Sequence, residues 1–292
     1  MSTTRKHQRK RIGVIDIFAG PGGLGEGFSN FELPSGERPF EVAASAEMEK
    51  SAHQTLRLRA FVRILQGLEG NRLPAAYLEY LQSVSAGEPI KPEDHFADGP
   101  WSKEWQRAAE QSLNLTLGND NDNATLYARI EAVKRGCEET ILIGGPPCQA
   151  YSLVGRARQA RVEGFRTKGD PRHYLYRQYL QILATFKPAV FILENVRGIL
   201  TSSVGGNEMF AAITRDLEDP AAALSGSARQ DSDSRYELLP VHVELGEART
   251  ADLLRTTPAA SSFVVSDTAL RRQDIVWSSW VCAATFCVRR RG

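Results

Sequence analysis

Ile12-Gly13-Val14-Ile15-Asp16-Ile17-Phe18-Ala19-Gly20-Pro21-Gly22-Gly23-Leu24 carries the clearest architectural signal in the chain. Its first six residues form a short apolar run rich in β-branched side chains, a glycine-rich turn follows, and Leu24 to Phe28 reads as an opening helix. Gly20, Gly22 and Gly23 let the backbone turn sharply and come close to a ligand, and the following helix offers free N–H groups to a carboxylate or phosphate. Taken alone, such a loop is as often a plain tight connection. A second apolar run, Phe40 to Ala46, ends on Glu47 and leads into a helical stretch from Met48 to Leu58, so the pattern continues as β-α-β-α. An acidic side chain there, about two dozen positions after the loop, is placed to accept hydrogen bonds from ribose hydroxyls. The competing reading of Glu47 is an N-cap on the next helix.

Two further strands repeat the arrangement. Thr140 to Ile143 runs into Gly144-Gly145-Pro146-Pro147-Cys148-Gln149, and Ala189 to Leu193 runs into Glu194-Asn195. Strands alternating with helices predict a parallel sheet covered on both faces, and ligands bind at the carboxyl ends of such strands. Two prolines fix the backbone before Cys148 and deliver a thiol to that edge. An isolated cysteine is commonly a buried, inert one. Here it stands in a polar, glycine-flanked turn beside Gln149, Tyr151 and Ser152, with Arg156 and Arg158 close behind to lower its pKa and attract phosphate. Glu194 emerges from a buried run, where a partly desolvated carboxyl can hold a proton near neutral pH; the alternative is a surface pair with Arg197. Cys137, at a helix end among charged residues, is expected to have no role.

The composition is that of a globular chain, with 292 residues of which 42% are hydrophobic, enough for one large or two ordinary domains. Lys and Arg number 36 against 35 for Asp and Glu, so affinity for nucleic acid has to come from a local patch. The cysteines Cys137, Cys148, Cys282 and Cys287 have no paired metal spacing and are too sparse for a disulfide scaffold, which points to a reducing cytoplasm and no zinc site. No apolar run reaches the roughly 18 residues needed to span a bilayer, and the polar start lacks the apolar region of a signal peptide. Residues 1–11 carry Arg5, Lys6, Arg9, Lys10 and Arg11 and are expected to be a solvated basic terminus, with phosphate contact as the alternative. Residues 59–118 are helical in period but broken by Pro74, Pro89, Pro92 and Pro100, and read as a mostly helical insertion anchored by Trp101 and Trp105. Residues 219–234, rich in Ala, Ser, Asp and Gly, read as a loop before a strand from Tyr236 to Val243.

Taken in order, Asp16 to Gly23, Gly145 to Gln149 with Tyr151-Ser152, and Glu194-Asn195-Val196 resemble the cofactor loop, nucleophile loop and glutamate motif of the DNA cytosine-C5 methyltransferases. Asp170, Arg172, Leu175 and Tyr176 resemble the segment before the glutamate strand. The resemblance implies an α/β, Rossmann-like doubly wound, mostly parallel sheet of the S-adenosylmethionine-dependent methyltransferase kind, in a catalytic domain over 12–265. It implies that S-adenosyl-L-methionine is held by Asp16, Phe18, Ala19, Gly20, Gly22, Gly23, Leu24, Glu47, Met48, Pro147 and Leu175, with Asn119 or Asp120 standing for an aspartate near the adenine. It further implies that Cys148 adds to C6 of a cytosine flipped out of double-stranded DNA while Glu194 hydrogen-bonds or protonates N3. Ser152, Val154, Arg156 and Arg158 would belong to the loop that closes on DNA. The expected setting is the modification half of a restriction-modification pair, whose endonuclease need not touch this chain, or an orphan relative; RNA is the rival substrate. Amino-methylating enzymes are set aside, because they use an Asp/Asn-Pro-Pro-aromatic turn and require no thiol.

The resemblance stops near Val243. Family members continue with a Gln-x-Arg-x-Arg strand, a target-recognition domain and a returning helix, and none is readable here. If Asp267 to Ala283 is back-translated and read from the third base of the Asp267 codon, permitted codons give Y-G-A-P-Q-A-R-H-R-V-V-L-L-G-V-R, which is the missing strand. Most of those shifted codons have two bases imposed by the observed residues. Residues 266–292 are therefore expected to be out-of-frame translation, with Trp277, Trp280, Cys282 and Cys287 of no functional meaning. On that reading the fold is C-terminally incomplete, one side of the sheet lacks strands, and the chain is inactive unless a complementing C-terminal polypeptide supplies the rest.

Overall fold

The computed structural model describes residues 11–68, 72–73, 75–87, 90–146, 171–193, 213–225, 235–240 and 286–290. The chain divides into two units, Met1–Ile143 and Gly144–Gly292.

The first unit is built on β1 (Ile12–Ile17), β2 (Phe40–Glu47), β3 (Ser112–Asn114) and β4 (Glu139–Gly144), all parallel, in the order β3-β2-β1-β4. Strands covered on both faces need apolar residues at consecutive positions rather than alternate ones. The β1 sequence supplies them: Val14, Ile15 and Ile17 are at most 1% exposed, as are Leu142 and Ile143 of β4. Helix α1 (Gly23–Ser29) follows the glycine turn, α2 (Lys50–Leu68) follows β2, and α6 (Asp120–Gly136) links β3 to β4. Between α2 and β3 come α3 (Ala75–Ser85), α4 (Pro92–Phe96) and α5 (Ser102–Gln111). Their apolar faces and that of α2 close a second core of Phe61, Leu65, Tyr80, Phe96 and Trp105. Phe61 and Trp105 meet edge to face with centroids 5.2 Å apart.

Two boundaries differ from expectation. Helix α2 does not stop near Leu58, because Leu56, Ala60, Phe61 and Leu65 continue one buried face through to its end. Residues 59–118, read as a mostly helical insertion, begin inside α2, hold α3, α4 and α5, and end past β3, a strand of the main sheet. That strand was missed because it is three residues long and two of them, Ser112 and Asn114, are poor strand formers. It exists through its pairing with Ser45, Ala46 and Glu47 of β2.

The second unit contains α7 (Pro171–Phe186), β5 (Val190–Leu193), α8 (Pro220–Ser225), β6 (Tyr236–Pro240) and β7 (Phe286–Arg290). Phe191 of β5 packs between Tyr179 and Tyr236, with ring centroids 6.0 and 5.0 Å away. Each tyrosine also ties its hydroxyl to backbone: Tyr179 donates to the Ile192 carbonyl at 3.4 Å and Tyr236 to that of Pro188 at 3.1 Å. Residues 219–234 are not wholly loop. Asp219 caps α8 by accepting from the Ala222 N–H at 3.0 Å, Pro220 suits a first helical turn, and three alanines propagate it. Strand β7 lies within the tail read as out-of-frame and pairs antiparallel with both β5 and β6. The expected strandless flank of β5 is thus occupied by backbone from Phe286–Arg290, a run whose Phe286 and Val288 are good strand formers. Among the described residues no helix is long and apolar enough to cross a membrane.

Candidate functional site

The turn between β1 and α1 is made of backbone that ordinary side chains resist. Phe18, Gly20 and Gly22 have φ of 56°, 55° and 87°, all in the left-handed region. The turn is held from both sides: the Ala19 N–H donates to the Ala46 carbonyl at 3.1 Å, and the Gly22 N–H donates to the Ala19 carbonyl at 2.9 Å. At Gly22 glycine is required twice, since a Cβ there would lie 2.7 Å from Leu56 Cδ1 of α2. At Gly20 and Gly23 a Cβ would meet nothing within 4 Å. Open space therefore adjoins these two glycines. Behind the turn, Asp16 is 1% exposed, with Oδ2 3.0 Å from where a Gly25 Cβ would stand. The α1 backbone needs glycine there to approach the carboxylate.

Glu47 reaches the turn from the end of β2. Its Oε2 accepts from the Gly20 N–H at 2.8 Å and its Oε1 from the Glu49 N–H at 2.8 Å. The N-cap reading fails for Glu47, because Glu49 does that work: its carboxylate accepts from the Ala52 N–H at 2.6 Å and the Ser51 N–H at 3.0 Å. Those bonds, Ala52 first, hold the Glu49 carboxyl below its ordinary pKa. A carboxylate offers about four lone-pair directions, so Glu47 keeps acceptor capacity beyond its two internal bonds. Met48 beside it is 60% exposed.

The end of β3 adds a residue that sequence reasoning passed over. Asn114 Nδ2 donates to the carbonyls of Glu47 at 2.9 Å and Met48 at 3.2 Å, fixing the backbone that carries the carboxylate. The alternation Leu113, Leu115, Leu117 was the available signal for a strand there. Asn119 serves elsewhere: its Oδ1 caps α6, accepting from the N–H groups of Asn121 and Asp122 at 3.0 and 3.2 Å. Asp120 is the first residue of that helix and exposed. In the first turn of α1, Glu26 is ion-paired with Arg63 of α2.

Phe18, Ala19, Gly20, Gly22, Gly23, Leu24, Glu47 and Met48 are thus on one turn and the adjoining end of β2. Leu175 is half-buried on α7, in the second unit. Pro147, Cys148, Ser152, Val154, Arg156, Arg158 and Glu194 lie outside the described residues. Cys137 caps the C-terminus of α6, and its Sγ would stand 2.9 Å from a Gly13 Cβ. Burial pushes this thiol up from its ordinary pKa, so it is held as a packing group rather than a thiolate.

Residues 93–220 match the family model for C-5 cytosine-specific DNA methylases, a window that contains the Pro-Pro-Cys and Glu-Asn-Val motifs. The type II methyltransferase M.Bpa9945I of Bacillus paralicheniformis is 32% identical over 228 residues, which are 75% of this chain and 48% of that protein. The putative type II methyltransferase M.MjaORF1200P of Methanocaldococcus jannaschii is 26% identical over 187 residues, 63% of this chain and 48% of that protein. The chain spans about half the length of these two relatives. With the glycine turn, the strand-end carboxylate and the parallel sheet in place, these matches agree on one assignment: the chain belongs to the C-5 cytosine-specific DNA methylase family.

Proposed function

We propose that the chain is built to transfer a methyl group from S-adenosyl-L-methionine to C5 of cytosine in duplex DNA, through a covalent adduct between Cys148 and C6. The observation that supports the cofactor most is the meeting of Gly20 and Glu47. A strand-end carboxylate with spare acceptor capacity stands 2.8 Å from a left-handed glycine beside open space. That combination fits a nucleoside: hydroxyls can bond to Glu47, and a bulky group can approach Gly20 and Gly23 without meeting a side chain. Bound there, S-adenosyl-L-methionine supplies an electrophilic methyl group for the activated carbon.

The remaining chemistry falls to the chain's own residues. C5 of cytosine is a weak nucleophile. The Cys148 thiolate adds to C6, forming a C–S bond and displacing the C5–C6 π electrons toward N3, where a proton or hydrogen bond from Glu194 stabilises them. The resulting enamine is nucleophilic at C5. After methylation a solvent base takes the C5 proton, the C–H electron pair restores the C5–C6 double bond, the thiolate departs with the C–S pair, and any proton on N3 returns to Glu194. The reacting atoms are shielded in duplex DNA, so the cytosine has to be flipped out, which costs a few kcal/mol of stacking. Arg156 and Arg158 are suited to the neighbouring phosphates. The names of the relatives support a place in a type II restriction-modification system.

An in-frame, full-length version incubated with labelled cofactor and duplex DNA should yield 5-methylcytosine, and Cys148→Ser should abolish it while leaving cofactor affinity within about twofold, since a hydroxyl is no comparable nucleophile at neutral pH. A 5-fluorocytosine duplex should trap an adduct on Cys148. An adduct on another residue, or methylation of tRNA in place of DNA, would overturn the proposal.

A further inference from the structure

The partnership of β1 and β2 contains one irregularity. Val14 lies opposite Val42, but Ile15 lies opposite Ala44, so Ala43 is an extra residue in β2. An extra residue of this kind drops out of the ladder and leaves its backbone groups in need of a partner. Ala43 is 5% exposed, where an unmatched carbonyl is unfavourable. Its partner comes from another element: Arg129, in the middle of α6, donates Nε at 3.1 Å and Nη2 at 2.8 Å to the Ala43 carbonyl oxygen. A guanidinium has the forked geometry for this.

The consequence lies at the end of the strand. Beyond the extra residue the register runs Ile15 with Ala44, Asp16 with Ser45 and Ile17 with Ala46, which places Glu47 one step on, level with Phe18. Continued without the shift from Val14 and Val42, the same pairing would put Ala46 level with Phe18. It would then turn the residue-47 side chain to the opposite face, because side chains alternate along a strand. The bond from the Gly20 N–H to Glu47 depends on the shifted register.

We propose that Arg129 is a positioning residue for the cofactor site. By holding the Ala43 carbonyl it stabilises the shifted half of β2, and through it the Glu47 carboxylate that meets Gly20 and, on the reading above, the ribose hydroxyls. Both guanidinium bonds of Arg129 go to the Ala43 carbonyl rather than to the glycine turn or Glu47.

The test uses the full chain and Arg129→Met, which keeps the aliphatic stem against the sheet and removes both donors. Exchange of the Gly20 amide with deuterium, followed by NMR, reads the Glu47 bond with no cofactor present; it should speed up about tenfold or more, as expected for loss of a charged hydrogen bond. Amides of Val14 and Ile141 should keep their protection, and Arg129→Lys, with one donor group, should fall between. Equal acceleration at all of these amides, or none at Gly20, would overturn the inference. If Arg129→Met does not fold, Arg129→Lys carries the same comparison alone. The second measurement is binding of S-adenosyl-L-methionine against its 2′-deoxyribose analogue. The unaltered chain should prefer the hydroxyl-bearing form, and Arg129→Met should lose most of that preference. A preference unchanged in Arg129→Met sinks the positioning role, whereas no preference in the unaltered chain sinks the reading of Glu47 itself.

Discussion

At Gly22 two separate restrictions meet, and they can be pulled apart. Its φ of 87° is strained for any residue with a Cβ, and the Cβ would also be driven into Leu56. Gly20 shares the left-handed backbone, at 55°, but has open space around it. Gly20→Ala should therefore lose about 1 kcal/mol from backbone strain alone, and Gly22→Ala about 2 kcal/mol or more. Adding Leu56→Ala to Gly22→Ala should remove the steric part, so the double variant should be less destabilised than the two single losses summed. Chemical denaturation of the four proteins checks the order; equal losses for Gly20→Ala and Gly22→Ala would show that Leu56 does not press on the turn. The need for glycine at these positions was legible in the sequence, because a strand followed by Gly-Pro-Gly-Gly has few other conformations. What Glu47 does was not, since its bond to Gly20 joins residues 27 apart and only the folded sheet brings them together.

Helices α2, α4 and α5 act as a shelf beside β2 and β3, and Trp105 is its fixed point. The indole is 2% exposed, meets Phe61 edge to face and Phe96 at a tilt, and has the Arg57 guanidinium 4.1 Å from its centroid. Arg57 also donates to the Trp105 carbonyl at 3.3 Å and lies 3.9 Å from Glu93 of α4. Because α2 presents Leu56 to Gly22 and His53 to the Ser112 carbonyl, at 3.1 Å, loosening the shelf loosens the turn. Trp105→Ala should cost about 3–5 kcal/mol of stability. Trp105→Phe keeps a ring under Arg57 and deletes a buried indole N–H that has no acceptor among the described residues, so its loss should be less than half as large. Thermal unfolding of both variants decides the point, and a phenylalanine as harmful as alanine would refute the stacking account. Sequence reasoning found the shelf as helical and named Trp105 as an anchor, because proline breaks and aromatic residues are local signals. It missed β3, which is strand only by pairing with β2, and it cut α2 short at a boundary that no local residue marks.

For the chain as a whole, the coding of residues 266–292 governs what activity to expect. Fifteen β-strand and helical elements are described across the two units, and the last of them, β7, follows Asp267–Ala283, the stretch whose back-translation yields Q-A-R-H-R in a shifted frame, within the same tail. Formation of a strand by Phe286–Arg290 does not argue against the shift. A five-residue run with aromatic and β-branched residues will pair with an available edge whatever its origin, since the ladder is made by backbone. The shifted frame stands apart from the structure: two of three bases in most of its codons are imposed by the residues observed, and they spell a strand that the family resemblance implies. We therefore expect the 292-residue chain to bind S-adenosyl-L-methionine weakly and to leave duplex DNA unmethylated, and a gene corrected by one base near the Asp267 codon to encode a product that methylates it. Sequencing the nucleotides from the Phe263 codon onward comes first. An open frame that continues past Q-A-R-H-R for the length of a recognition domain supports the correction, and a shifted frame that encodes no such strand defeats it. Methylation assays on both products then separate coding from catalysis. If the purified 292-residue chain methylates DNA unaided, residues 266–292 are a working part of the enzyme, and β7 is its strand by design of the sequence rather than by default.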